Sequence, residues 1–303
     1  MSHFSVLVVG NVESQMEPFQ ENNMENCPKE YLEFHDVEEN AKEEFESGFT
    51  TRFKDSSGNL HSRYDLKGEN IEEFEKIEIP FKEHYANFAE FVEEYLRGYS
   101  KDPENGRYGY WENPNAKWDW YSVGGRWAGS LQLTKEAQLQ IEQGLIPASA
   151  MPNFSYGFSK EEKEEILKKA LVDSALKKNI DIPEMERPRA ERARKIWKEW
   201  NSKIKFLWSE NKERDNWLLR NMGLFFSKED LKRLNTMSLD EYVECRSIWS
   251  PYAVAWDGRW YSRGEMGWFG VSFVNEESWS GQFRELWKEI PEDATLTIVD
   301  CHI

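Results

Sequence analysis

Three cysteines in 303 residues, Cys27, Cys245 and Cys301, are too few, too odd in number and too widely spaced for a disulfide framework. No CxxC pair or His/Cys spacing marks a zinc site, so the expectation is three reduced thiols, with Cys301 buried in a strand as a small hydrophobe. Long apolar runs are missing as well, and no stretch approaches the roughly 20 apolar residues of a membrane span. The opening MSHFSVLVVGN has no basic region ahead of its short apolar run, unlike a signal peptide. These absences point to a cytoplasmic protein with no membrane partner. Positive charge is in deficit: 39 Lys and Arg stand against 56 Asp and Glu, a net charge of −17. A general nucleic-acid binder needs a broad basic footprint, and this balance argues against one. P-loop, GxSxG, HExxH and EF-hand patterns are absent, and no cofactor is expected.

Aromatic residues are plentiful, 15% of the chain with 14 Trp, which points to packed cores rather than disorder. The length suits one large domain or two small ones. Charge is uneven along it. Residues 11–50 carry twelve Asp and Glu against two Lys, whereas residues 189–220 carry ten Lys and Arg against five Asp and Glu.

HFSVLVV (3–9) and the closing ATLTIVDCHI read as buried strands. A helix is predicted after Asp36, and another over 86–99 from the spacing of Phe88, Phe91, Val92, Tyr95, Leu96 and Tyr99. Thr134 caps a short helix that Gly144 ends, and Ser159 with Glu162 makes a capping box for a helix to about Lys178. Pro183 and Pro188 precede a long basic helix with Trp197 and Trp200 on one stripe. Asp257-Gly258 between two aromatic-rich runs predicts a type I′ hairpin, and a helix over about 276–289 follows it. Without its inserts the order is strand, helix, strands, hairpin, helix, strand. That predicts an α+β fold with a ferredoxin-like antiparallel sheet core and large helical and acidic insertions. The core is expected over 1–158 and 247–303, with an acidic insert at 11–68, and a helical insertion with a local core over 159–246.

Three constellations carry chemistry. In NPNAKWDWYSVGGRW (113–127), Gly124-Gly125 permits a tight backbone path. Arg126 offers a guanidinium fork, and the indoles of Trp118 and Trp120 offer stacking faces. An extended backbone puts Lys117, Asp119 and Tyr121 on one side and both indoles on the other; the competing reading is two core tryptophans and a surface Lys117–Asp119 pair. DGRWYSRGEMGWFG (257–270) repeats the mixture, with Arg259, Arg263 and Trp268, against the plainer reading of a hairpin with cross-strand aromatics. In VDCHI (299–303), alternation puts Asp300 and His302 on one face, and antiparallel pairing of the first and last strands brings His3 beside them. Such a cluster suits a general base or a metal, or is a hydrogen-bonded group at a sheet edge; no metal is expected there.

These four segments, MSHFSVLVVGN, NPNAKWDWYSVGGRW, DGRWYSRGEMGWFG and the closing PEDATLTIVDCHI, resemble a family of uncharacterised proteins of tailed bacteriophages and prophages. The resemblance implies a phage accessory protein acting in the host bacterial cytoplasm, and no particular reaction. With the Trp/Arg/Gly motifs it leads to a first expectation: binding and sequestration of a small anionic, nucleotide-type ligand of bacterial defence signalling. Lys117, Trp118, Trp120, Tyr121, Arg126, Arg259, Arg263 and Trp268 would form the site, with Arg126 and Arg263 facing into one pocket. The alternatives are an acidic inhibitor of a host defence protein, or a hydrolase of a nucleotide signal using His3, Asp300 and His302.

Overall fold

The computed structural model describes residues 3–68, 70–145, 151–154, 157–204, 228–264 and 276–303. The chain divides into two compact units, residues 1–20 with 116–303, and residues 21–115. This cuts the chain elsewhere than expected. The acidic segment does not end as an insert at 68 but folds with the residues up to 115, and 159–246 belongs to the larger unit.

The larger unit is built on a six-stranded mixed sheet. Strand β1 (His3–Val9) is a run of β-branched and apolar residues with both faces covered, so it reads as continuous rather than alternating. Four more strands follow in chain order: β2 (Trp120–Val123), β3 (Ser174–Leu176), β4 (Ala253–Trp256) and β5 (Arg259–Ser262). The last is β6 (Thr295–His302), which pairs antiparallel with β1 from His3 opposite His302 to Val9 opposite Leu296. On its other side β1 pairs in parallel with β4, which turns into β5. The free side of β6 carries β2 and β3 end to end, both antiparallel to it.

The first strand of the β4–β5 hairpin therefore lies beside β1, whereas a ferredoxin-like sheet places the second strand of its hairpin there. What stands is a mixed α/β fold with several antiparallel ladders. The hairpin itself forms as its sequence predicts: Asp257 and Gly258 both take positive φ, 52° and 67°, as a type I′ turn requires.

Five helices matter for the site: α1 (Val12–Met16), α2 (Ile182–Glu199), α3 (Lys228–Thr236), α4 (Leu239–Ser247) and α5 (Glu276–Glu289). On one face of the sheet Leu7, Val9, Val254, Leu296 and Ile298 pack with Trp279 and Phe283 of α5. On the other, Phe4, Val6, Val8, Val299 and Cys301 pack with Met16, Phe19 and Trp118. Each such buried aliphatic contributes about 1.5–3 kcal/mol relative to exposure.

The capping box of Ser159 and Glu162 forms, but its helix stops at Lys168 rather than Lys178. Ala170 takes a left-handed φ of 49°, Leu171–Val172 pairs with Leu131–Gln132, and β3 joins the main sheet. The basic helix begins earlier than expected. Asp181 caps it, and Pro183 sits in its first turn, where a missing N–H costs nothing; Pro188 lies inside the helix, which continues past it. Ala193 and Trp200 then form a local core with Leu234, Tyr242 and Val243.

In the smaller unit the predicted helix after Asp36 spans Glu38–Ser47, and only Phe88–Glu94 of the predicted 86–99 helix forms. Two three-stranded antiparallel sheets and a core of Phe81, Tyr85, Phe91 and Val92 complete it.

Candidate functional site

An apolar strand that ends in polar residues must satisfy them inside the protein. In β6 the apolar run breaks at Asp300 and His302, on the α5 face of the sheet, and Asp300 has no exposed surface. A buried carboxylate is costly unless it is paired and hydrogen-bonded. Here the antiparallel register brings the partners. Ser5 lies opposite Asp300 and His3 opposite His302 on β1, while Ser122 and Trp120 take the same positions on β2.

Nδ1 of His3 lies 2.9 Å from Oδ1 of Asp300, and the backbone N–H of Arg126 donates to Oδ2 at 3.0 Å. Nδ1 of His302 lies 2.7 and 2.8 Å from the two oxygens of Asp119. A carboxylate accepts, so in each pair Nδ1 carries a proton and Nε2 is the nitrogen left to exchange one. The two imidazoles meet edge to face, 5.1 Å between centroids. Trp120 stacks on His302 at 5.2 Å and 15°, and meets His3 edge-on at 5.3 Å. Nε2 of His302 and Oγ of Ser122 are buried with no hydrogen-bond partner among the described residues.

The Gly124-Gly125 pair takes positive φ at both residues, 71° and 55°. A Cβ on Gly125 would lie 2.4 Å from Cβ of Asp300 and 2.5 Å from its Oδ2; one on Gly124 would lie 2.2 Å from Oδ2 of Asp173. Asp173 is a second buried carboxylate, held by the Gly129 N–H at 2.6 Å and the Asn153 N–H at 2.5 Å. Burial pushes its carboxyl above the ordinary range, and those two donors oppose the rise. The glycines thus let the backbone wrap two of the protein's own carboxylates.

The other predicted site residues divide. The alternation expected for 117–121 does not hold, because β2 begins only at Trp120. Trp118 is core, 5% exposed, its indole N–H donating to the Met16 carbonyl at 3.0 Å, while Trp120 is 38% exposed. Tyr121 packs edge-on against Trp118, on the face away from the histidines, and loss of water raises its phenol. Lys117 donates its backbone N–H to the Phe19 carbonyl, and Asp119 turns to His302 rather than to Lys117, its partner in the competing reading. The Arg126 side chain is exposed, as is Arg259 beside the hairpin turn.

Arg263 follows β5, on the opposite edge of the sheet from β2. Four strand spacings, about 19 Å, separate those edges. Arg263 lines a cavity with Arg189, Arg233 and Arg246, and Arg126 is not among its lining residues. The expectation of one pocket shared by Arg126 and Arg263 is not met among the described residues, and Trp268 lies outside them. Asp119, Ser122 and Asp173 were missed by the sequence reading. Ser122 follows from strand alternation once β2 is paired to VDCH; Asp119 precedes β2, and for it and for Asp173 the sequence holds no signal.

Among the described residues no group of three or more His, Cys, Asp and Glu side chains is arranged to hold a metal ion. None of their helices is long and apolar enough to cross a membrane. No protein family, curated protein or solved structure matches this chain.

Proposed function

We propose that this chain is a hydrolase of a small nucleotide-type phosphoester, with His3 and His302 as its proton-transfer pair. The observation that carries the reading is the pair of imidazoles in ring contact, each bonded through Nδ1 to its own carboxylate, Asp300 or Asp119. A carboxylate at Nδ1 fixes the tautomer and orientation of the ring and stabilises the imidazolium that forms when Nε2 takes a proton. One imidazole accepts a proton from the attacking water as the new P–O bond forms. The other, protonated, gives its proton to the leaving oxygen as the old P–O bond breaks. Trp120, partly exposed and stacked on His302, supplies the aromatic surface for a base.

A second reading is capture of the same class of ligand without chemistry. It is favoured by the burial of Nε2 of His302, which keeps water from that nitrogen. Under both readings the setting, a phage accessory protein that removes a signal of bacterial defence, rests on the resemblance of the four sequence motifs. The acidic-inhibitor alternative draws less support: Glu38 is paired with Lys42, Asp36 with Arg107 and Glu46 with Lys82.

The test is incubation of the protein with cyclic mono- and dinucleotides and ADP-ribose-type nucleotides, followed by mass spectrometry of what heat denaturation releases. A converted nucleotide supports hydrolysis. An unchanged one retained by the protein supports capture and contradicts hydrolysis, and a panel neither bound nor changed contradicts both.

A further inference from the structure

The smaller unit holds a cleft of about 660 Å³, and every residue of its described lining belongs to that unit. It is built on the strand Tyr108–Glu112, which pairs antiparallel with Glu33–Asp36 on one side and with Ser100–Lys101 on the other. The side-chain amide of Asn22 donates to the Trp111 carbonyl at 2.9 Å, and its side-chain oxygen accepts the Cys27 N–H at 3.3 Å. Those two bonds clasp the loop after Asn22 to the strand as one wall of the cleft. The turn from the Phe88–Glu94 helix into Ser100–Lys101 forms the other.

Three rings line the space: Tyr99, Tyr110 and Trp111. Tyr99 and Tyr110 stack, 5.6 Å between centroids and 30° between planes, and all three rings are half-buried. Aromatic surface left open inside a cleft is a stacking platform for a planar ligand. Each wall also brings a cation, Lys29 from the first and Arg97 from the second. Both are exposed, and neither pairs with a carboxylate among the described residues, not even with Glu25 of the same cleft. Residues 21–115 hold 24 Asp and Glu against 11 Lys and Arg. Two cations left unpaired on one cleft of so acidic a unit make a local site for an anionic group. An ammonium and a planar guanidinium fork together suit a phosphate. Glu25 accepts from hydroxyl or amino donors. A planar ring, hydroxyls and a phosphate belong together in a nucleotide, and the volume is ordinary for a ligand of that size. The acidity around the cleft repels a longer polyanion, which makes the ligand a free nucleotide rather than a strand.

We propose that this cleft binds a nucleoside monophosphate. The base lies against the Tyr99, Tyr110 and Trp111 surface, and Lys29 and Arg97 hold the phosphate. The site does not depend on the histidine chemistry, since His3 and His302 belong to the other unit.

The experiment is calorimetric titration of the full chain with AMP, GMP, CMP and UMP at low salt, paired with thermal unfolding. At least one of the four binds, and its unphosphorylated nucleoside and ribose 5-phosphate each bind at least tenfold more weakly. Lys29→Gln and Arg97→Gln each weaken that nucleotide at least tenfold and leave the nucleoside unaffected. Neither changes the unfolding temperature in the absence of ligand, because both side chains are exposed. Arg97→Lys keeps the charge but loses the fork, and falls between. Lys67→Gln, an exposed cation of the same unit outside the described lining, binds as the wild type does. His3→Ala keeps the binding too, so failure of the hydrolase reading leaves this result untouched. A single-stranded oligonucleotide does not compete. Absence of heat with all four nucleotides at millimolar concentration overturns the proposal. So does unchanged binding by both glutamine variants, or ribose 5-phosphate binding as tightly as the nucleotide. Abolition of binding in Lys67→Gln or His3→Ala, or displacement by the oligonucleotide, overturns it as well.

Discussion

Trp118 and Trp120 stand two residues apart and serve different ends. Trp118 is packed among Met16, Phe19 and Cys301, its indole N–H satisfied by the Met16 carbonyl, whereas Trp120 lies half open on the histidines. Trp118→Ala is expected to cost about 3–5 kcal/mol of stability, as for other buried aromatic truncations. Trp120→Ala should leave the urea midpoint nearly unchanged and weaken ligand binding instead, by about tenfold for one lost stacking face. Denaturation and ligand titration of the two variants separate these effects, and a large stability loss in Trp120→Ala would place it in the core. The neighbouring Cys301 is held protonated, with burial the main cause and the charges of Asp300 and Asp119 adding to it. Its thiol is a packing group beneath the site.

At the scale of elements, glycine conformation separates a turn from a site. Gly258 in the hairpin has φ of 67° and open space where a Cβ would go, so Gly258→Ala pays only the left-handed backbone cost, about 1–2 kcal/mol. Gly125 has φ of 55° and would drive its Cβ into Asp300. Gly125→Ala is therefore expected to be the more destabilising and to abolish activity by displacing the carboxylate that holds His3. Thermal unfolding and turnover of the two variants check this; equal effects would mean that the Gly125 contact with Asp300 does not matter. The hairpin, the capping box of Ser159 and Glu162 and the first and last strands were legible because each is specified by a few adjacent residues. The meeting of His3 with Asp300 was legible too, since it needs only strand alternation and one antiparallel pairing. The partner of His302 was not. Asp119 belongs to a segment whose register depends on β2 lying along β6, a pairing between residues about 180 apart that no local pattern encodes. For Gly124-Gly125 the sequence shows that a left-handed path is allowed, and both residues take it, but not that Asp173 and Asp300 fill the space beside it.

Across the whole molecule, the smaller unit leaves and re-enters the larger one at neighbouring points. Gln20 and Trp118 form a parallel bridge, and the Lys117 N–H reaches the Phe19 carbonyl at 2.8 Å. Replacing residues 22–114 with a short Gly/Ser linker should therefore leave the six-stranded sheet folded, closing a loop at small entropic cost. Near-ultraviolet circular dichroism and a cooperative melt of the shortened chain are the check, and a molten product would show that the larger unit needs the smaller one. The boundary at 21–115 could not be read from composition, because acidity marks only its first part, and the return to unit one falls inside the NPNAKWDWY motif. The central claim is that the two histidines at the end of the main sheet transfer protons to and from a bound nucleotide. Its most direct test is the fate of the nucleotide panel, read by mass spectrometry, with wild type, His3→Ala and His302→Ala side by side. The account predicts conversion of a nucleotide by the wild type and a loss of about 100-fold or more in each variant. Conversion undiminished by either substitution, or a nucleotide bound and returned intact by the wild type, would contradict it.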